Sequence, residues 1–290
     1  VGVSEGMGPA WYGVSLSSKP TSDVTVNVAV MSVSSSDVWV SESPLSPLSP
    51  SLLLSLVFTP LDWDVDRRVY VWAVNDSETE ALYEMHWLQS WVESNDVMYA
   101  SLELPMVQVV VSDDDEAAVL VSPQQLVVSE GGVSESFSVR LSSSPTMVVR
   151  VMSLFDTSEI VVDPLVVEFN ASNWDVSVSV SVSAVDDMVA EKAKLWRVHV
   201  LSVSGDAFYD ELRGPNVSVL VVDNDVAGVL SGVSQWNDSV GVSEGMGPVW
   251  YGVSLRSKPT SDVTVNVAVM SISSSDVRVS ESLLSPSLLL

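Results

Sequence analysis

Apolar and polar residues alternate along much of this chain, and valine occupies most of the apolar positions. The pattern is clearest in VTVNVAV, from Val24 to Val30, and in VSVSVSVSAV, from Val176 to Val185. A period of two places successive side chains on opposite faces of a β-strand, so we expect one buried and one wet face. Short strands separated by Ser, Pro, Asp and Gly predict an all-β fold of Greek-key β-sandwiches with almost no helix.

Long segments of the sequence recur. The segment VGVSEGMGPAWYGVSLSSKPTSDVTVNVAV, which begins at Val1, returns almost unchanged from Val240. A more divergent copy begins at Val128 with VSEGGVSESFSVRLSSSP. Recurrence on this length scale indicates tandem copies of one folding unit.

Both long copies end in acidic residues after a valine run, at Asp115 and at Asp225. We therefore predict one repeat over residues 1–115, with an incomplete N-terminal strand, and a second over residues 118–226. A truncated third copy is predicted over residues 228–290, and the cut ends should leave open sheet edges that pair with another copy or chain. Because the chain opens without Met, we expect it to be a piece of a longer protein.

A Ser-Pro-rich insertion interrupts the first copy over residues 43–51, with the sequence SPLSPLSPS. Proline lacks the N–H group that a sheet requires, so this segment is predicted to be an exposed, extended loop, mobile or glycosylated.

The chain is strongly acidic, with 38 Asp and Glu residues against 12 Lys and Arg and a formal net charge of −26. This charge disfavours nucleic acid and anionic membrane surfaces as partners and favours cations. Cysteine is absent, which excludes disulfides and thiolate metal sites. The longest apolar run, from Leu52 to Phe58, is too short to cross a bilayer, so we expect no direct membrane insertion.

Acidic residues are concentrated where strands are predicted to end, as in VVVSDDDEAAV and VVDNDVAGV. Two unit charges about 4 Å apart repel by roughly 1 kcal/mol in water and by more near a protein surface. A Ca²⁺ ion, which takes six to eight oxygen ligands, would offset this repulsion. The alternative is that these are solvated turns whose charge keeps a valine-rich edge from aggregating.

Further acids recur in the SEG turn that opens each copy and after a middle strand, in AVNDSETE and AVDDMVAE. The ordered set resembles the Calx-β domain, the immunoglobulin-like module of sodium/calcium exchangers, an integrin subunit and many extracellular repeat proteins. The resemblance implies Ca²⁺ ligands in both long copies. They are Glu130, Asp186, Asp187, Glu191, Asp223 and Asp225 in the second copy and Glu5, Asp76, Glu80, Asp113, Asp114 and Asp115 in the first.

The sequence departs from the family pattern at three points. Asn75 stands where the second copy has Asp186, Asn224 interrupts the second acidic triplet, and the usual G-S-D-Y element is missing. These departures leave the affinity for Ca²⁺ open.

Enzymatic chemistry has little support. The two histidines, His86 and His199, do not occupy equivalent repeat positions, and no nucleophile elbow or phosphate-binding loop is present. We interpret each histidine as an ordinary buried or half-exposed strand residue. The carboxylates belong to a repeated module rather than to one cleft, so the chain is predicted not to be an enzyme.

Four Asn-X-Ser sequons, at Asn75, Asn170, Asn216 and Asn237, are compatible with secretion and N-glycosylation. Asn75 also lies in a candidate calcium loop, where a glycan and a metal ion would compete.

These features favour a non-catalytic structural or adhesive repeat of an extracellular or cell-surface protein, and fibre formation is one such role. We expect Ca²⁺ to stiffen the chain between domains. Its expected partners are neighbouring repeats or other copies of the chain, with glycans and matrix proteins as further candidates. Two alternatives stay open: a calcium-sensing regulatory module of a membrane protein, and a carbohydrate-binding domain.

Overall fold

A computed structural model of the protein describes residues 1–31, 37–45, 51–156, 158–232, 241–270 and 277–280. Within these ranges the chain is almost entirely β, which confirms the predicted all-β, immunoglobulin-like fold class. The described residues contain one helix, of four residues, and no helix among them is long and apolar enough to span a membrane.

The described residues of the first sandwich form eight strands in two sheets. The strands are β1 (Gly2–Ser4), β2 (Ala10–Val14), β3 (Val24–Met31), β4 (Val38–Ser41), β5 (Leu53–Phe58), β6 (Arg67–Ala73), β7 (Glu84–Ser94) and β8 (Val107–Ser112), with helix α1 (Val97–Ala100) between the last two. One sheet has the order β1-β8-β7-β3-β5 and the other β2-β6-β4.

The second sandwich repeats this topology with one more strand. Its strands are β9 (Val119–Ser122), β10 (Gln125–Ser129), β11 (Glu135–Leu141), β12 (Val149–Leu154), β13 (Ile160–Asp163), β14 (Val166–Phe169), β15 (Val178–Ala184), β16 (Lys194–Ser204) and β17 (Val217–Val222). The sheet orders are β10-β17-β16-β12-β14 and β13-β15-β11-β9. In the described part of the first sandwich β9 has no counterpart, while the strand before Glu5 is present in three residues.

Each sandwich buries its own apolar core between its two sheets. Alternate valines of β3 point inward, so Val24, Val26 and Val28 are buried, and Phe137 and Phe169 fill the centre of the second core. Full burial of one such side chain contributes roughly 1.5–3 kcal/mol, which makes these two cores the main source of stability.

Only one strand pair belongs to the described part of the third copy. Strand β18 (Val229–Gly232) pairs with β19 (Gly252–Leu255), and Val229 lies opposite Leu255 just as Val119 lies opposite Leu141 in the second sandwich. The repeat boundaries themselves stay predictions.

The Ser-Pro insertion falls partly outside the described residues, which omit residues 46–50. On its flanks, Leu45 is 75% exposed and the Ser51 carbonyl accepts a hydrogen bond from the Val40 N–H at 3.0 Å.

A tyrosine hydroxyl fixes one turn of each sandwich. The Tyr209 hydroxyl accepts from the Ser143 N–H at 3.1 Å and donates to the Ser143 carbonyl at 2.8 Å. It also lies 2.7 Å from the Ser143 hydroxyl. The Asp206 carboxylate accepts from the N–H and hydroxyl of Thr146 at 2.8 and 2.9 Å, which holds the other end of the same turn. Tyr99 bonds the equivalent Ser18 in the first sandwich. Both tyrosines therefore combine a buried ring with this polar role.

Candidate metal centres

Parallel strand pairing brings distant acids together at one end of each sandwich. Strands β1 and β8 run parallel, with Ser4 opposite Ser112, so the residues that follow them leave the sheet side by side. The Glu5 N–H donates to the Ser112 carbonyl at 3.1 Å, and the acidic triplet begins at the next residue. Strands β10 and β17 repeat the arrangement, with the Glu130 N–H donating to the Val222 carbonyl at 3.0 Å.

We call the six predicted acids of the first sandwich the first pole: Glu5, Asp76, Glu80, Asp113, Asp114 and Asp115. Of these, Glu5 and the aspartate triplet each offer a carboxylate oxygen within 4.8 Å of the others. The loop after β6 joins them through its backbone. Its Asp76 N–H donates to Glu5 Oε2 at 3.4 Å, and its Glu80 N–H donates to Asp113 Oδ2 at 2.7 Å.

The second pole comprises the corresponding acids of the second sandwich: Glu130, Asp186, Asp187, Glu191, Asp223 and Asp225. Oxygens of Glu130, Asp187 and Asp225 lie within 4.8 Å of one another. The Glu191 N–H donates to the Asp223 carboxylate, and Asp186 Oδ1 accepts from the Asn224 amide at 3.0 Å. All three acidic motifs therefore meet at this pole.

Two carboxylate oxygens of the second pole are buried without a hydrogen-bond donor. They are Glu130 Oε2 and Asp225 Oδ2, and both residues belong to the group of three just described. A buried acceptor that lacks a partner costs roughly 1–3 kcal/mol, and more when it is charged. A bound cation would satisfy both.

Burial and mutual repulsion raise the pKa of acids at both poles. Burial, together with the charges of Asp76, Asp113 and Asp114, raises the pKa of Glu5 to about 7, although the hydrogen bond from the Asp76 N–H opposes the shift. Burial and neighbouring carboxylates also raise the pKa of Glu80 to about 7. Without a cation, full ionisation of the first pole is therefore unfavourable.

Two acids of the second pole have raised pKa values and one has a lowered pKa. Burial, with the charges of Asp223, Asp187 and Asp186, raises the pKa values of Glu130 and Asp225. Hydrogen bonds from the N–H groups of Glu191 and Asp225 lower the pKa of Asp223.

A left-handed glycine allows the acids of each pole to approach the SEG turn. Gly6 has φ +63°, and a Cβ atom there would lie 2.8 Å from Asp114 Oδ2 and 3.0 Å from Asn75 Oδ1. Gly131 has φ +62°, and its Cβ would lie 2.9 Å from Asn224 Nδ2 and 3.3 Å from an Asp186 oxygen. Any other residue would combine backbone strain with a clash against the pole.

These contacts give a physical reason for two of the sequence departures. Asn75 and Asp114 crowd Gly6 in the first pole, whereas Asp186 and Asn224 crowd Gly131 in the second. Each pole thus places one amide and one carboxylate at this spot, with the two roles exchanged. The exchange keeps six acids at each pole.

The loop that carries Asp76 and Glu80 also contacts the second sandwich. Its Ser77 carbonyl accepts a hydrogen bond from the Ser144 N–H at 2.5 Å. The hydroxyl oxygens of Thr79 and Ser143 lie 2.7 Å apart. We call this contact the first joint.

A second joint shows the same backbone bond. The carbonyl of Met188, the residue after Asp187 of the second pole, accepts from the Lys258 N–H of the third copy at 2.6 Å. Lys258 and Ser144 both immediately precede a repeated proline, Pro259 and Pro145. The connection between a pole and the next copy is therefore part of the repeat.

The sequons occupy different environments. Asn170 and Asn216 are exposed, and Asn75 is exposed but lies against Gly6 beside the first pole. Asn237 lies outside the described residues.

The donor set of both poles suits calcium. Every candidate ligand is a carboxylate oxygen, a ligand type that suits Ca²⁺, and the two partnerless buried oxygens belong to Glu130 and Asp225 of the second pole. The residues that would hold an ion are those whose oxygens already converge: Glu5 with Asp113, Asp114 and Asp115, and Glu130 with Asp187 and Asp225.

No family model and no curated protein matches the sequence. Solved structures with similarity to the chain include the calcium-binding domain CBD12 of CALX1.1, at 15% identity, 69% of this chain, 77% of that chain and a TM-score of 0.31. The D00-D0 domain of Intimin aligns at 9% identity over 77% of this chain and 95% of that one, with a TM-score of 0.26. The periplasmic chaperone SfaE aligns at 10% identity with a TM-score of 0.31. The alignment covers 37% of this chain and 58% of SfaE. These similarities are distant and concern the immunoglobulin-like β-sandwich alone.

Proposed function

We propose that this chain is a calcium-binding structural spacer of an extracellular or cell-surface protein, in which cations at the acidic poles stiffen the joints between consecutive sandwiches. The observation that carries the proposal is the first joint. One short loop supplies backbone donors to Glu5 and Asp113 and, within the same few residues, bonds the turn of the second sandwich.

The mechanism is electrostatic. Without a cation, repulsion among the six acids of the pole and the cost of burying Glu5 favour an open loop. With a Ca²⁺ ion held by Glu5 and the aspartate triplet, the loop would stay against the triplet and present Ser77 and Thr79 to the neighbouring turn. Tyr209 and Asp206 hold that turn rigidly. An ordered first pole would therefore also restrict the motion of the second sandwich.

The expected energy is sufficient for this role. Extracellular calcium modules bind with dissociation constants of about 10⁻⁴ to 10⁻³ M. At a hundredfold excess of free ion over the dissociation constant, binding stabilises the folded state by about 2.7 kcal/mol. That energy is comparable with several of the hydrogen bonds that form a joint.

Repetition supports a spacer rather than an enzyme. The poles and joints recur from copy to copy, so a longer array would stiffen along its length as calcium binds. The expected partners are neighbouring repeats and further copies of the chain, with exposed sequons at Asn170 and Asn216 suited to an extracellular setting.

The test is thermal unfolding of the 290-residue chain in Ca²⁺ and in chelator, together with calorimetric titration. We expect Ca²⁺ to raise the melting temperature and Asp225→Asn to reduce both the rise and the heat of binding. Asp175→Asn, which changes an exposed aspartate of a turn outside the pole, is the matched control and should behave as wild type. An unchanged melting temperature and no binding heat in the wild-type chain would refute the proposal.

A further inference from the structure

A histidine and two carboxylates, none of them among the six acids of the first pole, converge between the two sheets of the first sandwich. They lie near Glu80 of that pole, on which the charges of Glu84 and Asp37 act. His86 and Glu84 lie on β7 of the five-stranded sheet, and Asp37 immediately precedes β4 of the three-stranded sheet. Each offers one ligand atom within 4.8 Å of the others. We call this group the inter-sheet cluster.

His86 is the most unusual member of the cluster. Its side chain occupies an inward position of β7, only 6% exposed, two residues before the core residue Leu88. Its Nε2 atom is buried and has no hydrogen-bond partner. Such an atom costs free energy in the apolar interior unless a ligand satisfies it.

The distances within the cluster fit a shared metal ion better than hydrogen bonds. Nε2 of His86 lies 3.6 Å from Glu84 Oε2 and 3.8 Å from Asp37 Oδ2. Both exceed the normal hydrogen-bond range of about 2.7–3.2 Å. They approach the donor separation of about 3.4 Å expected for a tetrahedral ion with bonds of about 2.1 Å.

The second sandwich holds a cation of its own at the corresponding place. Lys194 lies opposite Val221 in the register of β16 and β17, as Glu84 lies opposite Val111 in β7 and β8. The Lys194 ammonium lies 2.8 Å from Glu191 and 3.4 Å from Glu159.

One of the acids around Lys194, Glu159, has Asp37 as its counterpart in the first sandwich. The Glu159 carbonyl accepts from the N–H of Val185, and the Asp37 carbonyl accepts from the N–H of Val74, the residue just after the corresponding strand. The second sandwich therefore carries a positive side chain where the first carries Glu84. Because the first sandwich has no lysine at this position, an external cation can occupy the corresponding place.

We propose that Asp37, Glu84 and His86 bind a divalent transition-metal ion of the zinc type, which links the two sheets of the first sandwich. The imidazole nitrogen decides the class of ion, because nitrogen suits Zn²⁺ and its neighbours in the series whereas Ca²⁺ takes oxygen ligands. Glu84 is 32% exposed in its side chain, which opens the cluster to the solvent from which an ion and a water ligand enter. In a chain without cysteine, the ion takes the inter-sheet role that a disulfide has in other sandwiches.

The chain offers a direct probe, since it contains only two histidines. Zn²⁺ is added to the ¹⁵N-labelled 290-residue chain in excess Ca²⁺, and the imidazole nitrogen resonances are followed by NMR. We expect the Nε2 resonance of His86 to shift at one equivalent of Zn²⁺. His199, whose Nδ1 lies 3.0 Å from Asn216 Oδ1, should not shift.

Two variants separate the site from surface binding. Glu84→Lys introduces the lysine that the second sandwich has at this position. We expect this variant to bind Zn²⁺ at least about tenfold more weakly, which is the scale typical of disrupted metal sites. Its melting temperature should be no lower than that of the metal-free wild type. His199→Gln is the matched control and should bind as wild type. A His86 resonance that does not respond to Zn²⁺, a His199 resonance that responds first, or a Glu84→Lys chain that binds as wild type would overturn the proposal. None of these outcomes depends on whether Ca²⁺ stiffens the joints.

Discussion

In the absence of divalent cations, the first sandwich should lose stability as the pH rises through neutrality. The pKa of Glu5 is raised from 4.5 to about 7 in the folded chain, so the folded state binds this proton more tightly than the unfolded state does. The contribution of this proton to the free energy of unfolding is fully present below pH 4.5 and is lost as the pH rises through 7. The raised pKa of Glu80 acts in the same direction.

The size of the effect follows from the shift. Since one pKa unit corresponds to about 1.4 kcal/mol, the shift of Glu5 alone corresponds to about 3 kcal/mol. Glu5 is 3% exposed, but its neighbours Asp76 and Asp114 are open to water, and screening lowers the expected loss to roughly 1–2 kcal/mol. For a domain of this size the melting temperature should fall by about 4–8 °C.

The assay is thermal unfolding in chelator between pH 5 and pH 8, followed by tryptophan fluorescence. Six of the ten tryptophans lie in the first sandwich, so this signal reports mainly on its unfolding. Carboxylates with lowered pKa values, such as Asp62 and Asp96, titrate below this window and do not contribute to the slope. Excess Ca²⁺ should remove the decline, because the bound ion favours the ionised pole.

Glu5→Gln tests the assignment. It should flatten the decline in chelator, whereas Glu135→Gln, which changes an exposed glutamate of β11, should leave it intact. A melting temperature that is constant or rises from pH 5 to pH 8 in chelator, or a decline of equal size in Glu5→Gln, would refute this reasoning.

Three further predictions concern the second sandwich. Tyr209→Phe should lower its stability by about 1–3 kcal/mol in denaturant unfolding, because the fully buried serine that its hydroxyl bonds would lose its partner. Gly131→Ala should cost about 1–3 kcal/mol and weaken calcium binding in a calorimetric titration, because its φ of +62° disfavours alanine and the new Cβ meets the pole. Asp186→Asn and Asn224→Asp should each change the calcium affinity when made alone. In a double-mutant cycle, the chain with both exchanges should have the wild-type free energy of unfolding within about 0.5 kcal/mol.

The sequence was sufficient to predict the fold class and the meeting of the acidic motifs. Period-two valines correctly indicate strands such as β3 and β15, because one buried face per strand leaves a direct trace in the sequence. Acids that follow two strands of one sheet can be expected to converge. The register in which those two strands pair cannot be predicted from the sequence. The parallel pairing of β1 with β8 fixes that register through backbone bonds that carry no side-chain signal.

Other features depend on tertiary contacts that the sequence does not reveal. His86 looks like an ordinary strand histidine, because Asp37 is distant along the chain and reaches it only through the opposite sheet. The hydroxyl bonds of Tyr209 and the contact of Thr79 with Ser143 likewise join residues more than 60 positions apart. A signal was present in the comparison of repeats, since Glu84 and Lys194 have opposite charge at equivalent positions.

The central claim is that calcium stiffens the joints, and a distance measurement across the first joint tests it most directly. Because the chain has no cysteine, spin labels can be placed uniquely at Leu61→Cys and Val176→Cys, two exposed sites in different sandwiches. Pulsed electron resonance should give one narrow distance distribution in Ca²⁺ and a broad one in chelator. A chain that also carries Asp113→Asn and Asp115→Asn should stay broad in both conditions. Equal widths with and without Ca²⁺ in the labelled wild-type chain would contradict the account.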